Sequence, residues 1–97
     1  MADCTKCGAK VSGSEVCISA ELSGDEYTEC WYLCGKCHVY SVESFTEQFA
    51  GDEKSRVEGP IPKEEGDRKV ALAKQCDTPR EKKCDCPAHK KYFEGMS

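Results

Sequence analysis

The residues with the clearest potential for chemistry in this sequence are its cysteines. Nine of the 97 residues are Cys, and four of them form two Cys-x-x-Cys pairs, Cys4 with Cys7 and Cys34 with Cys37. Two thiolates at this spacing can reach one ion, and zinc takes four such ligands in a tetrahedron with Zn–S distances of about 2.3 Å. The pairs therefore predict one zinc site built from two knuckles that face each other.

A second group of potential ligands lies near the carboxyl end. Cys84 and Cys86 are two residues apart on an extended segment, so both can approach one ion, and His89 returns towards them after Pro87. With Cys76, they supply the three thiolates and one imidazole of a Cys₃His zinc site. A merely solvated tail is the alternative, but three exposed free thiols would be prone to oxidation. We therefore predict two zinc sites.

Two further cysteines and one histidine belong to neither group. Cys17 and Cys30 can be inert packed thiols, a redox pair or extra ligands, and inert packing is the simplest interpretation. His38 follows the second pair and is more simply a hydrogen-bonding knuckle residue than a ligand. The run from Cys34 to His38 also matches the haem c attachment pattern, which would leave the first pair without a role.

The elements that must position these residues can be predicted from alternation and turn residues. Residues 14–22 and 27–33 alternate between apolar and polar types and predict a β-hairpin. If its turn is Ser23 and Gly24, then Val16 faces Trp31 and Cys17 faces Cys30 on the opposite side of the sheet. Trp31 is accordingly assigned to the core, and a third strand is predicted over residues 39–45.

The remaining chain predicts a linker, a helix and a tail. Residues 50–61 are charged and interrupted by Gly and Pro, which is typical of a linker or an arm. Pro62 can open a helix that ends near Gln75, with Gly66 as its weak point. We predict a small metal-stabilised α+β protein. It comprises a three-stranded antiparallel zinc ribbon (1–49), a linker (50–61) and a helix with the second Cys/His segment (62–97).

The two knuckles resemble those of the zinc-ribbon group, which shares its double knuckle with rubredoxins. The resemblance covers roughly residues 1–45 and implies a structural ion held by Cys4, Cys7, Cys34 and Cys37. A closed Cys₄ shell leaves no coordination position for catalysis. The same thiolates bind iron in rubredoxin-like sites, so an iron electron carrier is one alternative. The knuckles lack the proline and aromatic residues usual beside that iron, which favours zinc.

Charge and size bear on the class of function. The net charge is −4, and acidic residues outnumber basic ones before residue 62, which disfavours stand-alone nucleic-acid binding. A nucleic-acid-associated ribbon stays as an alternative because the tail carries phosphate-binding and stacking side chains. These are Arg80, Lys82, Lys83, Lys90 and Lys91, with Tyr92 or Phe93 for stacking.

A chain of this length has little room for a substrate pocket, and no catalytic set can be singled out. We therefore expect a protein that is not an enzyme but an accessory subunit docking on a larger protein partner. Its polar second half would gain order from such a partner. No secretory leader and no membrane-length apolar run is seen, so we expect a cytoplasmic location with no membrane contact.

Overall fold

A four-stranded antiparallel sheet forms the centre of the computed structural model, and two helices pack on one of its faces. The structure describes residues 2–11, 13–22, 24–47, 51, 53–81, 84 and 86–93. The fold is α+β, as predicted. The elements in chain order are β1 (Ala2–Asp3), β2 (Lys10–Val11), β3 (Val16–Leu22), β4 (Asp25–Leu33), β5 (Val39–Glu47), β6 (Glu53–Pro62), α1 (Lys63–Lys74) and α2 (Pro87–Tyr92).

The β3–β4 hairpin has the predicted register. Val16 pairs with Trp31, and Cys17 pairs with Cys30. Trp31 is buried in the core with the inward side chains of β3. Ser23 of the predicted turn and the side chain of Leu22 lie outside the described residues.

The structure differs from the sequence interpretation at the Cys17–Cys30 pair. The two residues are joined by a disulfide instead of packing as inert thiols. Directly opposed residues of an antiparallel pair have Cβ atoms about 4.5–5.5 Å apart, so this register brings the two sulfurs together.

The sheet has four strands rather than the predicted three. The additional strand is β6, which pairs antiparallel with β5 and lies at the edge of the sheet in the order β3-β4-β5-β6. It occupies the segment whose composition suggested a linker. Nearly every residue of β6 is exposed, and edge strands commonly carry the charged and proline residues that composition rules assign to linkers.

Helix α1 lies against the sheet at Gly66. A Cβ at this position would overlap the ring of Tyr40, whose hydroxyl donates a 2.6 Å hydrogen bond to Asp67. Glycine has a low helix propensity, but because it lacks a Cβ it lets the helix approach the sheet closely at this position. The helix spans Lys63–Lys74 and is flanked by Pro62 and Gln75, as predicted.

The tail is also part of the core. Tyr92 in α2 is 1% exposed, and its hydroxyl accepts a 2.6 Å hydrogen bond from Trp31 Nε1 and donates one of 2.6 Å to Glu29. Lys69 of α1 lies 4.8 Å from the centre of the Tyr92 ring. The short helix α2 thus joins both α1 and the sheet, although its sequence shows no convincing periodicity.

Within the described residues, no helix is long and apolar enough to cross a membrane.

Candidate metal centres

The first candidate site consists of two knuckles with the same backbone geometry. In the first knuckle, Cys4 N–H donates to Ala9 O (2.7 Å) and Gly8 N–H donates to Cys4 O (2.9 Å). The second knuckle repeats both bonds at the same offsets, from Cys34 N–H to Val39 O (3.0 Å) and from His38 N–H to Cys34 O (2.9 Å). Each loop therefore presents its two thiols in the same way.

The residue after each second cysteine has a positive φ. Gly8 has φ 78°, a conformation that suits a residue without Cβ, whereas His38 adopts φ 55° with a full side chain. The left-handed conformation of Gly8 and His38 turns the chain back at the end of each loop. The N–H group of each residue can then donate to the carbonyl oxygen of the first cysteine in its loop. His38 therefore has a backbone role, in line with its interpretation as a knuckle residue.

The first knuckle is fixed to the sheet by residues that sequence reasoning did not identify. Thr5 N–H donates to Ser41 Oγ (3.0 Å), and the two hydroxyls are also 3.0 Å apart. Ser41 is buried at an irregularity in the β5–β6 pairing. Gly59 of β6 lies so close to Thr5 that a Cβ there would collide with it. The sequence feature that could have indicated this contact is Gly59, which lies in the segment predicted as a linker.

The structure brings Cys4, Cys7, Cys34 and Cys37 together, with all four sulfurs within 4.8 Å of one another. Cys7 Sγ and Cys34 Sγ are 3.8 Å apart. Two thiolates at about 2.3 Å from a tetrahedral zinc ion would be separated by about 3.8 Å. The four thiols therefore fit an ion of this size, and the group can hold a metal.

The thiols of this group differ in pKa. Backbone N–H groups of Cys7 and Lys6 lower the pKa of Cys4 to about 6, and Lys6 N lies 3.4 Å from its sulfur. Hydrogen bonding to Cys7, followed by burial, raises the pKa of Cys37 to about 12. Because metal ligation needs thiolates, binding of an ion at this group would have to displace protons, most strongly at Cys37.

The second candidate site joins three segments at the end of α1. Cys76 lies just beyond the helix, Cys84 follows in the loop, and His89 comes from α2. The Cys76 sulfur is 3.4 Å from Cys84 Sγ and 3.4 Å from His89 Nδ1. A thiolate and an imidazole on one tetrahedral zinc ion would be about 3.5 Å apart. This group can also hold a metal. Among the described residues, these are the two groups whose ligand atoms lie close enough together to do so.

Cys86, the fourth predicted ligand, lies beside this compact group and not within it. Its Sγ accepts the backbone N–H of His89 at 3.4 Å and so caps α2. Burial, followed by hydrogen bonding to Cys84 and Cys86, raises the pKa of Cys76 to about 11. Cys86 is therefore close enough to the other residues to affect the pKa of Cys76. Ligation of one ion by Cys76, Cys84, Cys86 and His89 together stays a prediction.

His89 is the buried imidazole of this group. It is 3% exposed, and its Nδ1 faces Cys76. Its Nε2 is buried without a hydrogen-bond partner in the described chain. Burial of a ring nitrogen without a partner is costly, and a metal bound at Nδ1 would leave Nε2 protonated and still unpaired.

The stacking residues of the nucleic-acid alternative are not available at the surface. Tyr92 is 1% exposed and Phe93 is 7% exposed, and both belong to the core. Lys90 and Lys91 are exposed, whereas Lys82 and Lys83 lie outside the described residues. The tail therefore presents charge but not the aromatic surface on which bases would stack.

Comparison with known proteins gives one partial relative. The phosphoribosylformylglycinamidine synthase subunit PurL of Anaeromyxobacter dehalogenans (strain 2CP-C) is 32% identical over 77 residues, covering 79% of this chain and 10% of that protein. The chain therefore spans about a tenth of the length of this curated relative. No protein-family model and no solved structure matches the sequence.

Proposed function

We propose that this protein is a zinc-binding accessory module, with two structural zinc sites, that docks on a larger protein. The observation that carries the proposal is the convergence of Cys4, Cys7, Cys34 and Cys37 within 4.8 Å. Four thiolates close the shell of a tetrahedral ion and leave no coordination position for a substrate. The role we propose is therefore not catalytic. Reduced thiols are needed for both sites, which favours the cytoplasm as the location.

The partial relative supports docking on a large protein. Its matching stretch makes up 10% of a much longer polypeptide. A module of this kind that is covalently part of one protein can act on a similar protein as a separate chain. An enzyme of the phosphoribosylformylglycinamidine synthase class is therefore our first candidate for the partner.

The surface offers a small apolar region for such docking. Phe45 is 41% exposed and Val57 is 44% exposed, the large apolar side chains that stay exposed in the described part of the chain. Glu43 pairs with Val57 and Phe45 pairs with Ser55, which places both apolar residues on one face of β5 and β6. This face is opposite to the one that the helices cover, so it can accept a partner.

Metal identity is tested by elemental analysis combined with native mass spectrometry of the full chain. We expect two zinc ions per chain, with the metal lost and the fold weakened on treatment with a chelator. A red preparation that contains iron and has a reversible one-electron couple would overturn the zinc assignment and favour the rubredoxin-like carrier. A chain without bound metal would refute both.

Docking is tested by a substitution on the proposed face. The double variant Phe45→Ser/Val57→Ser should retain its zinc but lose co-purification with the candidate enzyme. Glu64→Ser/Arg68→Ser, on the exposed side of α1, is the matched control and should still bind. Equal binding by both variants, or a wild-type chain that stays monomeric when mixed with the enzyme, would refute the docking proposal.

A further inference from the structure

The Cys17–Cys30 disulfide stands apart from the other cysteines of the chain. Seven cysteines are free thiols, and both candidate metal sites need them reduced. A compartment that keeps those thiols reduced also contains thiols that can attack a disulfide, and disulfides in such compartments are commonly transient or redox-sensing. The accessibility of this bond therefore decides whether it is a permanent link or an exchangeable one.

The two cysteines of this bond are equally buried, each 7% exposed, but only one of them lines a cleft. Cys17 lies on the edge strand β3 and lines an open cleft of about 480 Å³, whose other walls come from residues 78–81. Cys30 lies on the central strand β4, and both cysteines belong to one buried cluster with Tyr32. Cys30 does not line the cleft. An attacking thiolate can therefore approach the bond along the cleft at Cys17.

The cleft carries one charged side chain of each sign, Arg80 and Glu81. Arg80 is exposed and forms part of its wall. Its charge reaches Tyr32 and partly offsets the burial that raises the pKa of that phenol. The loop that carries Arg80 is attached to β3, because Ser19 N–H donates to Pro79 O at 2.7 Å. Arg80 therefore offsets the charge of Glu81, so an anionic thiol is not repelled from the cleft.

We propose that the Cys17–Cys30 disulfide is a site of thiol–disulfide exchange, entered at Cys17 by an anionic low-molecular-weight thiol. The attacking thiolate forms a bond to Cys17 Sγ, the Cys17–Cys30 bond breaks, and Cys30 leaves as a thiolate that takes up a proton. A second thiolate then attacks the sulfur of the bound thiol, releasing Cys17 as a thiolate and forming the small-molecule disulfide. Two thiols are oxidised and one protein disulfide is reduced.

The test uses the full metal-loaded chain with glutathione as the probe. Acid-quenched samples are mapped by peptide mass spectrometry, and we expect the first mixed disulfide on Cys17. Arg80→Glu should slow reduction by glutathione about fivefold, because it leaves two carboxylates in the cleft, which repel the anion. Reduction by 2-mercaptoethanol should slow less, because its thiolate carries one negative charge where the thiolate of glutathione carries a net charge of two. Arg68→Glu, an exposed substitution on α1, is the matched control.

A second measurement keeps the test decisive if the mixed disulfide is too short-lived to trap. The Cys30→Ser and Cys17→Ser variants each leave one thiol of the pair, and each is treated with oxidised glutathione. We expect Cys17 to be modified much faster than Cys30. A first adduct on Cys30, equal rates for the two single thiols, or glutathione reduction that is insensitive to Arg80→Glu would overturn the proposal.

Discussion

The two candidate metal sites are built in different ways. The first joins two loops that share both backbone hydrogen bonds and the left-handed residue that closes each loop. The second joins a helix end, a loop and a short helix, whose local structures are unrelated. The first site therefore needs only the sheet to bring two preformed loops together, whereas the second must order three segments at once.

This difference indicates which part of the fold each ion would stabilise. The first site closes the sheet at the β4–β5 end, where Thr5, Ser41 and Gly59 also meet. The second site fastens a tail that the core already holds through Tyr92 and Phe93. We therefore expect the first ion to be needed for the sheet and the second for the tail alone.

The largest expected effect comes from removing one ligand at each site. Cys34→Ser should unfold the chain, because structural zinc supplies about 10–16 kcal/mol of apparent binding free energy and domains are stable by only about 5–15 kcal/mol. Cys84→Ser should leave the sheet folded and expose only the loop and α2. Hydrogen exchange of both variants, measured in the presence of zinc, checks both outcomes. Unfolding of equal extent in the two variants would contradict the distinction between the sites.

A smaller effect is expected at the hydrogen bonds that hold the tail without metal. Tyr92→Phe removes the acceptor of Trp31 Nε1 and the donor to Glu29. The buried Trp31 N–H is then unpaired, and the free energy of unfolding should fall by about 1–3 kcal/mol. Urea denaturation followed by circular dichroism measures this change. Tyr27→Phe, whose hydroxyl makes only a 3.5 Å contact, should change it by less than about 0.5 kcal/mol.

The contact of α1 with the sheet gives an effect of similar or smaller size. Helix propensity alone predicts that Gly66→Ala stabilises the protein by about 1 kcal/mol. The collision with the Tyr40 ring should reverse this and lower the free energy of unfolding by about 1–3 kcal/mol. Gly35→Ala is the control, since nothing lies within 4 Å of its Cβ position. A stabilised Gly66→Ala variant would show that α1 does not lie on Tyr40 as described.

The smallest effect compares the two knuckles directly. His38→Gly makes the second knuckle match the first and should stabilise the protein by less than about 1 kcal/mol, since it removes a side chain from a left-handed residue. Thermal denaturation of the zinc-loaded variant measures the change. Lys36→Gly, at the exposed tip of the same loop, should not stabilise. A destabilised His38→Gly variant would indicate that the imidazole has a role beyond the backbone.

The parts that sequence predicted are those set by local pattern. The repeated Cys-x-x-Cys spacing located the first metal group, and strict alternation gave the pairing of Val16 with Trp31 and of Cys17 with Cys30. Pro62 and the apolar residues after it located α1. Each of these features depends on residues close in sequence or on a period of two.

The parts that sequence missed depend on contacts between distant residues. Strand β6 is exposed along nearly its whole length, so burial leaves no alternating pattern by which to recognise it. From the sequence, Tyr92 is a candidate base-stacking residue of the tail and not a core residue, because its partners Trp31 and Glu29 lie more than 60 residues away. The state of Cys17 and Cys30 also stayed open, since register brings two thiols together without deciding whether they are bonded.

The position of Trp31 gives the molecule a built-in optical reporter. It is the single tryptophan of the chain, and its indole nitrogen bonds directly to the tail. Its emission should be blue-shifted while Tyr92 covers it and should move to longer wavelength when water replaces that residue. Ultraviolet fluorescence can therefore follow attachment of the tail in real time, without an added label, as metal is supplied or withdrawn.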